Sequence, residues 1–132
     1  MRTRSIRQTV TFAAEPKAVY DALMSSKEHA AFTHSNTKIS PKVGGAFTTG
    51  DGYISGKNLE LVPGKRIVQQ WRGDEEGWPE DHFSIATFSF KAVGKKTRLT
   101  FAQSGIPAEF ADAIAQGWKD FYWEPLRAYL EA

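Results

Sequence analysis

GIPAEFADAIAQGWKDFYWEPLRAYLEA, residues Gly105–Ala132, closes the chain and decides how it folds. Turned at 100° per residue from Phe110, the side chains of Ile114, Trp118, Phe121, Tyr122 and Tyr129 fall within one arc, which predicts a helix with an aromatic face. A helix over Pro107–Leu130 would run roughly 36 Å at 1.5 Å per residue, enough to cross a small sheet. Gly117 sits inside it, where glycine costs about 0.5–1 kcal/mol relative to alanine. Close packing of the helix backbone on a sheet, or on a ligand, is the expected compensation, and the sheet is the simpler of the two. Pro125 predicts a kink or the start of a separate terminal turn.

Upstream, the apolar period changes to two. Ile6, Gln8, Val10 and Phe12 alternate with Arg7, Thr9 and Thr11, as in a half-buried strand. Pro16 then suits the first turn of a helix striped by Val19, Ala22 and Leu23, ending near Ser25–Ser26. A second short helix is expected around Lys27–Phe32. From Asn36 to Gln103 the pattern is a succession of antiparallel strands. Gly50-Asp51-Gly52 marks a tight turn, and Pro63-Gly64 a type II turn. Leu59 and Leu61 alternate, and Ile67, Gln69 and Trp71 share a face. His82, Ala86, Phe88 and Phe90 oppose Phe83, Ile85 and Thr87. Thr97, Leu99 and Phe101 follow the Gly94-Lys95 turn. The expected architecture is α+β.

Composition limits the function. At 132 residues the chain is expected to form one domain over 1–132, large enough to build a core without staples. It has no cysteine, which excludes a disulfide scaffold, a thiolate nucleophile and a cysteine metal site. The start, MRTRSIRQTV, lacks the apolar run of a signal peptide, and no stretch approaches a membrane span, so a cytoplasmic protein without membrane contact is expected. The net charge is +2. Arg2, Arg4 and Arg7 lie far along the chain from Lys95, Lys96 and Arg98 and accompany no reading motif, so they are taken as solvated faces rather than a nucleic-acid footprint.

The order strand, short helices, strand meander and long closing helix resembles the helix-grip, START-like superfamily. Several blocks carry a closer resemblance. KVGGAF (Lys42–Phe47), LELVPGKRIVQQWR (Leu59–Arg72), WPEDHFSIATFSF (Trp78–Phe90), GIPAEF (Gly105–Phe110) and GWKDFYWEPL (Gly117–Leu126) are similar, in order, to the family of activators of the heat-shock protein 90 ATPase, and above all to their C-terminal domain. The resemblance implies a curved antiparallel sheet of about six or seven strands around a long C-terminal helix, with one or two short helices after the first strand. It also implies heat-shock protein 90 as a possible partner in a stress response. Only nine residues precede Val10, so the separate N-terminal domain of the two-domain activators is expected to be absent.

A sheet gripping a helix can enclose a cavity, and Trp71, Phe83, Phe88, Phe101, Trp118 and Tyr122 are the candidates for its wall. Apolar clefts with a few polar groups are the usual form of a small-molecule site. The alternative is that these rings fill the core. His29, His34 and His82 lack a metal-binding spacing, and no cofactor is expected. Asp74, Glu75, Glu76, Glu80 and Asp81, set among Gly73, Gly77 and Pro79, form a solvated loop or an acidic docking edge. Relatives in the superfamily include cyclases and dehydratases, but such chemistry needs a buried acid or base. Arg72, Asp120 and Glu124 are the nearest candidates, and each is more simply a surface residue. The expected role is therefore non-catalytic: a binder of a small hydrophobic molecule, or a co-chaperone-like module.

Overall fold

A computed structural model describes residues 1–132. The chain runs β1 (Thr3–Phe12), α1 (Pro16–Met24), α2 (Ser26–Thr33), β2 (Lys38–Ile39), β3 (Ala46–Thr49), β4 (Ile54–Val62), β5 (Arg66–Gly73), β6 (Ser84–Val93) and β7 (Lys96–Pro107) before its terminal helix. Pro16 opens α1 where its missing N–H costs nothing, and Ser25 Oγ caps α2 by accepting from the Glu28 N–H at 3.2 Å.

The seven strands make one antiparallel sheet in the order β1-β7-β6-β5-β4-β3-β2. Strands β2 to β7 form a meander, and the last of them takes β1 as its outer neighbour. Register aligns the inward side chains in rows: Gln8, Phe101, Phe88 and Ile67 lie opposite one another across four strands. The Pro63-Gly64 turn is closed by Lys65 N–H on Val62 C=O at 2.9 Å, with Gly64 at φ 72° as a type II turn requires.

The β4 reading needs one correction. The pairing slips between Asn58 and Glu60, so a bulge places Asn58 inward and leaves Leu59 40% exposed. An inserted residue changes which side chains face the core, and simple alternation does not survive it.

The terminal helix also differs from a single helix over Pro107–Leu130. Pro107 still belongs to β7, paired with Thr3. A 3₁₀ turn (Ala108–Phe110) precedes α3 (Ala111–Trp118), a π turn (Lys119–Trp123) and α4 (Glu124–Leu130). The Glu124 N–H reaches back five residues to Lys119 C=O, and Pro125, which has no N–H, follows at once. The extra residue in that turn lets Trp118, Tyr122 and Trp123 all reach the core.

Packed on the inner face of the sheet, these rings join Phe12, Phe32, Ile67, Phe88, Leu99, Phe101 and Leu126 in one buried cluster. Glutamines tie helix to sheet within it. Trp118 Nε1 donates to Gln103 Oε1, Gln103 Nε2 to Ser84 Oγ, and Ser84 Oγ to Trp71 C=O, each at 2.8 Å. Gln8 takes the Trp123 indole N–H at 2.7 Å and donates to Ala115 C=O at 2.8 Å. Buried polar groups in a low-dielectric core must be paired, and here the pairing also sets the helix register.

Candidate binding site between helix and sheet

Beside that packed core the helix and sheet part, leaving a cavity of about 550 Å³. Its apolar wall is made by Ile54 and Trp71 from the sheet and by Phe110, Ile114, Trp118 and Tyr122 from the terminal segment. The rim is polar: Thr33, His34 and Ser35 from the end of α2, Thr49, Gly50 and Asp51 at the β3–β4 turn, then Tyr53 and Glu75. Phe121, 69% exposed, stands at the mouth.

Local structure fixes the acidic side of the rim. Gly50, Asp51 and Gly52 all take positive φ, which turns the chain tightly between β3 and β4. Asp51 Oδ1 accepts the Asn36 N–H at 2.8 Å and joins this turn to the segment after α2. Tyr53 donates to Glu75 Oε1 at 2.6 Å, tying the acidic loop to the start of β4. Burial, and then Glu75, push the Tyr53 phenol well above its ordinary pKa.

Behind the wall, the Tyr122 hydroxyl lies 2.7 Å from His29 Nε2, and His29 Nδ1 lies 2.9 Å from Leu23 C=O. A carbonyl accepts only, so Nδ1 carries the proton and Tyr122 donates to Nε2. Burial lowers the His29 pKa to about 4, partly opposed by the bond to Leu23. Burial also raises the Tyr122 phenol far above its usual value. The pair is neutral and internally satisfied.

Of the six side chains named from sequence as wall candidates, Trp71, Trp118 and Tyr122 line the cavity. Phe88 and Phe101 do not: they pack on each other with centroids 5.0 Å apart and on Trp118 at 5.8 and 4.3 Å, as core. Phe83 is excluded outright, being 36% exposed and one residue outside β6. Phe83 and Phe88 differ in strand parity, so only one of them can face inward. Asp120 and Glu124 are exposed, and Arg72 is half-buried beneath Trp78, with Nη2 on Trp78 C=O at 3.3 Å and Nη1 unpartnered.

Two features escaped the sequence reading. Trp78, within the acidic stretch, is buried: its ring stacks on Phe110 at 5.8 Å and its indole N–H donates to His82 C=O. Gly117 faces the cavity rather than a closely packed sheet. A Cβ built there would meet only Phe121 Cδ2, at 3.8 Å. The expected steric reason for this helix glycine is therefore absent.

An antiparallel sheet packed over a C-terminal helix, with two short helices after the first strand, defines a helix-grip domain. Residues 13–131 match the family described as Activator of Hsp90 ATPase homolog 1-like protein, and the chain belongs to that family. It is 35% identical over 117 residues to the human activator of 90 kDa heat shock protein ATPase homolog 1, and 33% identical over 118 residues to the Dictyostelium discoideum homologue. Each alignment covers 89% of this chain but only 34% and 30% of the relative, so the chain spans about a third of the length of these relatives. Among solved structures, an HSP90 activator from Plasmodium falciparum superposes with a TM-score of 0.88 at 22% identity, covering 96% of both chains. A protein from Chromobacterium violaceum reaches 0.82 at 27% identity, covering 97% of both. No helix is long and apolar enough to cross a membrane.

Proposed function

We propose that this domain is a non-catalytic binder of a small hydrophobic molecule held between the terminal helix and the sheet. The observation that carries this reading is the cavity of about 550 Å³ itself, lined in part by Gly117, a destabilising helix residue with no packing demand on it. That volume lies within the range of sites for small organic ligands, and the aromatic wall with a polar rim has their usual composition. A binding role rather than acid–base chemistry is supported by the titratable groups at the wall. Tyr122 and His29 are paired with each other, and Tyr53 donates to Glu75. Native mass spectrometry of protein gently purified from its own organism tests the proposal. A reproducible added mass, lost on denaturation and lost from Gly117→Leu, is expected. A bare 14.7 kDa species from both proteins would count against it.

A second reading is favoured by the family itself: a module that contacts heat-shock protein 90. The match covers only 34% of the human activator, so the contact proposed here is binding, with ATPase stimulation a separate question. The exposed acidic stretch Asp74–Asp81, apart from Trp78 and the half-buried Pro79, offers a surface for a basic partner. Calorimetry with the host chaperone is the test, and no detectable complex would sink this reading.

A further inference from the structure

The cavity is one-sided in charge. Its lining includes Asp51 and Glu75 together with His34, but no lysine or arginine, although the chain as a whole carries +2. Neither carboxylate belongs to an ion pair; the four in the protein are Arg4–Asp112, Lys17–Asp21, Arg66–Glu60 and Arg127–Glu131. The Asn36 N–H and the Tyr53 hydroxyl each engage one oxygen, Asp51 Oδ1 and Glu75 Oε1. These bonds hold the two groups in place and leave Asp51 Oδ2 and Glu75 Oε2 without a protein donor.

Below the rim, the wall is built largely of π-systems. Trp71 and Trp118 have centroids 5.9 Å apart, and Trp118 and Tyr122 4.5 Å apart, with Phe110 and Phe121 also on the lining. Aromatic faces attract cations through their quadrupoles and repel anions placed over them. An anionic amphiphile would set its head group beside two carboxylates with no basic side chain to neutralise it. A cation finds charge complementarity at the rim and a largely aromatic lining beneath it.

Building on the cavity-binding reading above, we infer that this site selects hydrophobic organic cations, with an apolar or aromatic body and an ammonium-type head, over anionic amphiphiles of the same shape.

Three probes sharing one body test this: 2-naphthylmethyltrimethylammonium, 2-naphthylacetate and 2-ethylnaphthalene. Each is titrated into the full chain at low ionic strength, with amide and indole NMR shifts of Gly117, Trp71 and Trp118 as the readout. The cation is expected to bind about tenfold more tightly than the carboxylate, an advantage that shrinks as salt is raised. In the double variant Asp51→Asn, Glu75→Gln the ratio should fall toward one while the neutral probe binds as before. Asparagine tolerates the positive φ at position 51, and glutamine keeps an acceptor for Tyr53. Equal or tighter binding of the carboxylate, with the neutral probe still shifting the wall resonances, overturns the cation inference and leaves the cavity reading standing. A cation preference unchanged in the double variant overturns the role given to the rim. If none of the three probes shifts the wall resonances, both readings fall together.

Discussion

Trp118 and Gln103, fifteen residues apart in sequence, are joined by a hydrogen bond from the indole N–H to Oε1 at 2.8 Å, with both side chains buried. The bond fixes the terminal helix on β7 at the point where packed core gives way to cavity. Trp118 is thus both a wall of the site and a core residue, being 3% exposed and 4.3 Å from the Phe101 centroid.

Trp118→Ala should therefore destabilise the domain by about 3–5 kcal/mol, as for other buried aromatic truncations. Trp118→Phe retains most of the ring but leaves Gln103 Oε1 without its donor, and should cost about 1–3 kcal/mol. Urea midpoints measure both. A loss below about 1 kcal/mol for the alanine variant would mean that the ring is a free cavity wall.

Gly117→Ala should raise stability by about 0.5–1 kcal/mol, because the new methyl meets only Phe121 and the helix gains a better former. Gly117→Leu should fold while losing any cavity ligand, since its side chain would occupy that space. Thermal melting and ligand titration on the same two variants separate the effects. Destabilisation by alanine would show a contact with the sheet that this geometry lacks.

Stability should fall in mild acid. His29 is neutral when folded, with its pKa lowered from 6.5 to about 4, so the unfolded chain binds the proton more readily. The stabilisation is fully present above about pH 6.5 and is lost as pH falls toward 4, amounting to about 3 kcal/mol at 1.36 kcal/mol per unit. Urea midpoints at pH 7, 5.5 and 4 should trace the decline, and His29→Gln should flatten it. An imidazole titrating near 6.5 in the folded protein, followed by NMR, would contradict this assignment.

On β1, neighbouring substitutions should diverge sharply. Gln8→Ala removes the acceptor for the Trp123 indole and the donor to Ala115 C=O, and should cost about 1–3 kcal/mol. Arg7→Ala, on the exposed face, should change stability by less than about 0.5 kcal/mol. Chemical denaturation of the two variants makes the comparison, and similar losses would argue against the glutamine bridge.

Much of this architecture was legible along the chain because period-two and period-3.6 patterns record, residue by residue, which side faces the core. The alternation of β1, β5 and β7, the proline start of α1 and the Pro63-Gly64 turn needed no partner to be recognised. Of the aromatic arc expected on the terminal helix, Ile114, Trp118 and Tyr122 turn inward, but Phe121 and Tyr129 are exposed, and the π turn buries Trp123 in their place. The family blocks carried the topology with them. The β4 bulge was not visible in this way, because Asn58 turns inward to donate to Ser40 C=O and Lys42 C=O and to accept from Gln69. Trp78 was hidden for a related reason: its acidic neighbours are solvated, while its ring finds Phe110 more than thirty residues away.

The sequence by itself determined the element order, the inward faces of most strands and an aromatic stock for a cavity. Tertiary structure alone decided that Trp71, Trp118 and Tyr122 border open space while Phe88 and Phe101 fill the core, and that Gly117 faces a void. Periodicity assigns a side chain to a face, since that depends on backbone torsions nearby. Whether the face meets another side chain or an empty volume depends on the separation of elements distant in the chain, here set by the glutamine bonds and the π turn of the helix.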